Sequence, residues 1–92
     1  MIRSYRSKAL ERFALTGNRR GLSVQKPERI ARLLKALQAA TRPSALDLPG
    51  LRFHALKGGD KGRYAIWASE NWRLTFGWDG ADAVEVDLED YH

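Results

Sequence analysis

The sequence contains no cysteine, so neither a disulfide nor a thiolate-bound zinc is available to it. No apolar run approaches the ~18 residues of a membrane-spanning helix. Histidine is scarce: His54 and His92 are the two, and neither has a cysteine or a second histidine at ligand spacing, so no metal is expected. No Gly-rich phosphate loop, nucleophile elbow or kinase element is present, and none of these points to a bound cofactor. Internal repeats and low-complexity tracts are also missing. The opening Met1-Ile2-Arg3-Ser4-Tyr5-Arg6 has no signal-peptide h-region, so a cytoplasmic location is expected.

What is there fits one small domain covering residues 1–92. A domain of this size buries roughly 60–65% of the surface its unfolded chain exposes. Hydrophobic residues make up 43%, enough for a packed core. The formal charge of +5 hides a strong segregation. Residues 1–73 hold all sixteen Lys and Arg against five acidic groups, a net of +11; residues 74–92 hold six acidic groups and no base, a net of −6. A basic body suits a polyanionic partner, because phosphate contacts release counterions; it also suits an ordinary solvated surface.

Residues Ile2 to Tyr5 alternate weakly, as a short strand does. Ser7 predicts the N-cap of a helix reaching about Thr16, with Leu10, Phe13 and Ala14 on one face and Gly17 as its stop. A basic, Gly-containing connector follows over residues 17–25. Pro27 suits the first turn of a second helix, whose Ile30, Leu33, Leu34 and Leu37 follow the i, i+3, i+4, i+7 pattern of a buried stripe. Lys26, Arg29 and Arg32 recur every three residues on another face; they read as a solvated face and, together with Arg52, as candidate RNA contacts. Two prolines and a glycine in residues 41–50 break the helix.

The remainder reads as strands over residues 51–56, 63–68, 72–78 and 83–88, with Asp79-Gly80 as a hairpin turn whose residues tolerate positive φ. The order implies an α+β fold: an N-terminal strand and two helices packed on one face of a largely antiparallel sheet. Period two assigns the faces. Trp72, Leu74, Phe76 and Trp78 turn to the helices, and Arg73, Thr75 and Gly77 turn away. In the last strand Val84, Val86 and Leu88 are expected inside, and Glu85, Asp87 and Glu89 outside. Phe53 is the inward residue of the first strand of this run, which puts Arg52 and His54 on the open face with Arg73. Trp67, Trp72 and Trp78 read as core or edge packing.

Taken singly, His54 is a strand histidine, Lys57 a turn lysine, Arg73 a solvated strand residue and Asp90-Tyr91-His92 a polar tail. Taken together, His54-Ala55-Leu56-Lys57-Gly58, Gly62, Asn71-Trp72-Arg73-Leu74-Thr75-Phe76 and the terminal Asp90-Tyr91-His92 resemble the HigB family. These are the host-inhibition-of-growth, or plasmid-maintenance killer, toxins of the RelE/ParE superfamily. The likeness covers essentially the whole chain, including its opening Met1-Ile2-Arg3-Ser4-Tyr5. Gly58-Gly59 departs from it, since members often carry one glycine before a polar or basic residue.

The resemblance implies a type II toxin with a microbial-ribonuclease-like fold that cleaves mRNA in the decoding site of the ribosome without a metal. It implies a helix-turn-helix antitoxin, with operator DNA bound through that antitoxin, and a toxin that is monomeric alone. It carries site roles over to His54, Lys57, Arg73, Asp90, Tyr91 and His92. The chemistry of these residues suits the task. Metal-free RNA cleavage needs a base for the 2′-hydroxyl proton, cations for the phosphorane and an acid for the leaving 5′-oxygen. Histidine serves proton transfer, Lys57 and Arg73 supply fixed cations, Tyr91 can stack on a base and Asp90 can orient His92. The residue types leave base and acid open; His92 as base and His54 as acid is the assignment preferred, with phosphate stabilisation the other role for His54. Two further readings stay open: a ParE-like gyrase inhibitor and a non-catalytic RNA-binding module.

Overall fold

The computed structural model describes residues 1–22 and 24–90; Ser23, Tyr91 and His92 lie outside the described residues, and with them the roles expected of the last two. Helix α1 spans Lys8–Thr16. Ser7 starts it as its side chain dictates: Oγ accepts the Leu10 amide hydrogen at 3.2 Å, satisfying a donor of the open first turn. Gly17 ends it at φ 78°, a conformation that costs glycine little, and donates its N–H to the Phe13 carbonyl at 2.8 Å. Leu10 is fully buried and Phe13 half-buried, but Ala14 is exposed, so the inward face is narrower than the spacing predicts. Helix α2 spans Pro27–Ala39, and Ile30, Leu33, Leu34 and Leu37 are all buried. A 3-10 turn at Pro43–Leu46 then sinks Leu46 into the core.

Strands β1 (His54–Ala55), β2 (Arg63–Ser69), β3 (Trp72–Asp79) and β4 (Asp82–Asp90) form one antiparallel sheet in that order. Leu10 and the α2 stripe pack with Ile66, Leu74, Phe76 and Val86 in one core, which is the α+β architecture expected. Across the helix-facing side runs an aromatic row. Phe53 stacks on Tyr64 at 5.7 Å, Tyr64 on Phe76 at 6.0 Å, and Phe76 meets Trp78 edge-on at 6.1 Å.

Four local features differ from the pattern read in the sequence. The N-terminal segment, expected as a short strand, makes two isolated parallel bridges with β4, Ile2–Ala83 and Tyr5–Val86. Arg3 clamps it there, with guanidinium nitrogens 2.6 Å from Asp79 and 2.7 Å from Asp82. The first strand of the main sheet is two residues long, not six. Leu51 and Leu56 still bond to β2, at 2.7 and 2.9 Å, but Arg52 at φ 53° breaks the extended run between them. The β3–β4 turn falls at residues 80–81, one later than expected, because Asp79 still pairs with Asp82 and Gly80 takes the positive φ, 64°.

The fourth difference matters most. Thr75 pairs with Asp87 and Gly77 with Val84, so Glu85 and Val86 together oppose Phe76. This is a β-bulge, with Glu85 at φ 51°. It shifts the alternation of β4 by one residue. Ala83 and Val86 are fully buried, Leu88 packs against the core, and Val84 moves to the opposite face, contrary to expectation. Gly77 makes room for it: a Cβ there would lie 3.3 Å from Val84 Cγ2.

Glycine is the residue best suited to the bulge conformation at Glu85. Glu85→Gly is therefore expected to unfold at no lower a denaturant concentration than wild type, whereas Glu85→Ile should lose about 1–2 kcal/mol. Chemical denaturation followed by circular dichroism checks both. The Arg3 clamp predicts a pH effect. Its hydrogen bonds hold the Asp82 carboxyl below its ordinary value of 3.8. The stability it contributes is therefore present above pH 3.8 and fades as pH falls through the lower folded value. Arg3→Gln should lower the melting temperature at pH 7, and the gap to wild type should narrow as the pH is taken below that window.

Candidate active site

Beneath the helices the sheet presents its other face, and register places the residues on it. One row crosses the sheet as His54, Ala65, Thr75 and Asp87; the next holds Trp67, Arg73 and Glu89. A third holds Arg63, Gly77 and Val84. His54 and Arg73 stand two strands apart and still line one cavity of about 170 Å³, together with Arg52, Ile66 and Trp67. The placement of Arg52, His54 and Arg73 on a common face thus agrees with the alternation in the sequence.

His54 is exposed, and its Nδ1 lies 2.8 Å from the Arg52 carbonyl oxygen. A carbonyl only accepts, so Nδ1 carries the hydrogen and donates it. In the neutral ring Nε2 is then the proton acceptor; in the imidazolium it is the proton donor. The left-handed backbone of Arg52 is what brings that carbonyl to His54.

Behind this rim lies a polar network that the sequence reading did not single out. Arg63, nearly buried, donates from Nη2 to Thr75 Oγ1 at 3.0 Å and to the Glu85 carbonyl at 2.9 Å. Thr75 is wholly buried and donates its hydroxyl hydrogen to Glu89. Burial pushes the Arg63 guanidinium below its usual value and neighbouring Arg6 adds to this, while Glu89, Asp87 and Asp60 pull the other way. The open face is therefore not uniformly solvated. Alternation alone placed Thr75 and Glu89 outside; it carried no sign that Arg63 would cover them. The clue was parity, since Arg63, Ala65 and Trp67 share one face of β2.

Other expected residues are more scattered. Lys57 is exposed in the β1–β2 connection, ahead of a short 3-10 turn at Gly58–Asp60, and does not line the cavity. Asp90 ends β4 opposite Trp72, so register gives it the Trp72 side and not the Arg73 side. Lys26, just before α2, and Arg32 on it are exposed. Arg29 instead reaches the sheet, where Nε donates to the Ala68 carbonyl and the guanidinium lies 4.6 Å from the centre of the Trp67 ring. Trp67, read as core or edge packing, also lines the cavity. Tyr91 and His92 are outside the described residues. Among the described residues no three His, Cys, Asp or Glu side chains come together as a metal site.

Residues 3–92 match the family model described as the RelE-like toxin of the type II toxin-antitoxin system HigB. The chain belongs to the HigB-like toxin family. It is also 35% identical to the protein named Endoribonuclease HigB of Proteus vulgaris, over the full length of both chains. As a HigB-like toxin of a type II system it has an antitoxin as partner. The family model runs through both elements that the structure brings together, the β1 segment with His54 and the β3 segment with Arg73.

In this HigB-like toxin the Arg63 network is expected to carry stability as well as shape. Arg63→Met leaves the Glu85 carbonyl and the Thr75–Glu89 pair without their cation and should cost about 2–4 kcal/mol. Arg6→Gln removes a guanidinium that is half exposed and 3.9 Å from Glu85, and should cost less than about 1 kcal/mol. Urea unfolding of the two variants tests the contrast.

Proposed function

We propose that this HigB-like toxin is a ribosome-dependent endoribonuclease that cuts mRNA in the decoding site and so halts translation and growth. The observation that carries the reading is the convergence of His54 and Arg73 on one cavity, with His54 held in a defined tautomer by the Arg52 carbonyl. The Proteus vulgaris relative is named an endoribonuclease, which supports the nuclease part of this reading.

The chemistry is an attack of the 2′-oxygen on the adjacent phosphorus. The O2′–P bond forms and the P–O5′ bond breaks, leaving a 2′,3′-cyclic phosphate and a 5′-hydroxyl. His92 takes the 2′-hydroxyl proton, and Asp90 orients its ring. His54, as imidazolium, gives the Nε2 proton to the departing 5′-oxygen. The Nδ1 bond to Arg52 suits this role, because it is kept in both protonation states. Arg73 and Lys57 neutralise the charge that builds on the phosphorane, and Tyr91 stacks on a splayed base. Side chains supply both proton transfer and charge stabilisation, so the reading assigns no metal to the reacting centre.

Lys26, Arg29, Arg32 and Arg52 belong to the basic body that meets RNA phosphates. One face of a small domain does not by itself hold a flexible strand in line for attack. Alignment by the ribosome supplies that positioning, which is worth several orders of magnitude in rate. The antitoxin is a helix-turn-helix protein through which the pair binds operator DNA, the toxin alone is a monomer, and all of this occurs in the cytoplasm.

Induced expression followed by mapping of mRNA 5′ ends tests the reading. Wild type should arrest growth and leave cuts within translated mRNA. His92→Ala and His54→Ala should each lower cleavage by roughly 10²–10⁴-fold while the fold persists. Growth arrest with a DNA-damage response and intact mRNA would overturn it in favour of gyrase inhibition. RNA binding without cuts or growth arrest would overturn it in favour of a non-catalytic module.

A further inference from the structure

Two guanidinium groups lie over one indole ring beside the cavity. The Arg29 Cζ is 4.6 Å and the Arg52 Cζ 5.5 Å from the centre of the Trp67 ring, both within cation–π range. Each arginine comes from a different part of the chain, Arg29 from α2 and Arg52 from the segment before β1. Neither forms an ion pair with a carboxylate among the described residues. Two like charges held at one ring, neither in an ion pair among the described residues, raise the local potential and favour an anion.

The ring that gathers them is itself held. The Trp67 Nε1–H donates to the Glu70 carbonyl at 3.3 Å, and its backbone N–H donates to the Leu51 carbonyl at 2.7 Å. Arg29 is fixed by its Nε bond to the Ala68 carbonyl. A guanidinium lying over a ring uses its face for the contact, and its rim of N–H groups stays available for an oxyanion. Trp67 shares the cavity with His54 and Arg73, and the Arg52 backbone holds the His54 ring.

We propose that Trp67 organises Arg29 and Arg52 into a phosphate-binding shelf that grips the RNA backbone next to the His54–Arg73 cavity. The ligand is an RNA phosphodiester outside the bond that is cut. Two strands could offer it, the message itself or the ribosomal RNA around it. The inference rests on the reading of the cavity as an RNA site, and it separates Arg29 and Arg52 from the dispersed lysines and arginines of the basic body. Trp67 is a positioning residue in this account: it acts through the two arginines.

The test is the salt dependence of binding, which counts phosphate contacts and which a purely structural role leaves unchanged. Arg52→Gln, Trp67→Leu and Trp67→Phe are compared with wild type, each verified as folded by circular dichroism. Binding is measured to a 2′-O-methyl single-stranded oligonucleotide, which cannot be cut, and to programmed ribosomes. For the single strand, Arg52→Gln should make the slope of log affinity against log salt shallower by about 0.7, the value of one phosphate contact. Trp67→Leu should lose up to twice that, and Trp67→Phe, which keeps a ring face, should retain most of the wild-type slope.

A change seen with the free oligonucleotide supports the shelf and assigns the phosphate to the message. A change seen only with ribosomes supports it and assigns the phosphate to ribosomal RNA. Unchanged slopes on both for folded Arg52→Gln and Trp67→Leu overturn the shelf. Because neither ligand has to be cut, this result is independent of whether wild type cleaves mRNA, so failure of the shelf and failure of the nuclease reading are distinguishable.

Discussion

The left-handed residue Glu85 governs where the last strand puts its side chains. Three groups hold it. Ser4 Oγ accepts its amide hydrogen at 2.9 Å, Arg63 donates to its carbonyl at 2.9 Å, and the Ser4 carbonyl takes the next amide, that of Val86, at 3.1 Å. Because β4 gains one residue here, everything beyond it is displaced by one step relative to Ala83. Asp87 and Glu89 face the cavity side and Leu88 faces the helices as a result. The N-terminal segment, a buried arginine in β2 and the acidic end of the chain are thereby tied into one arrangement, although they lie far apart in sequence.

That arrangement changes the meaning of the charge segregation. Four of the acidic residues after Arg73 make specific contacts. Asp79 and Asp82 hold Arg3, Glu85 faces Arg6, and Glu89 takes the Thr75 hydroxyl beneath Arg63. Among the described residues Arg29 and Arg52, which lie over Trp67, form no such ion pair. Arg3 and Arg6 are thus paired away from the cavity, whereas Arg29 and Arg52 stand beside it.

Much of this was legible in the sequence where a short-range rule applied. The α2 stripe and the inward set Trp72, Leu74, Phe76 and Trp78 follow from period alone, and Ser7 and Gly17 mark the ends of α1. Alternation also put His54 and Arg73 on a common face. The bulge was hidden, because the residue at φ 51° is a glutamate and not the glycine that would signal it; its support comes from Ser4 and Arg63, remote in sequence. The same cause hid the break at Arg52. Trp67 was read as packing because an aromatic in a strand usually is, and its contact with Arg29 and its place in the cavity lining are visible only in the tertiary structure. The roles of Tyr91 and His92 rest on family resemblance and chemistry.

The parallel N-terminal segment has a further consequence for how the sheet meets its surroundings. Exposed sheet edges invite strand addition from other chains. On one side the sheet ends in a two-residue strand, too short to template much pairing. On the other, residues 1–6 cover β4 along Ala83–Val86, and the Ile2 amide hydrogen is donated to the Gln38 side chain at 2.8 Å. The two-residue strand and the N-terminal cover thus shorten the open edge on both sides of the sheet, although the chain carries four segments of strand-forming sequence in its second half.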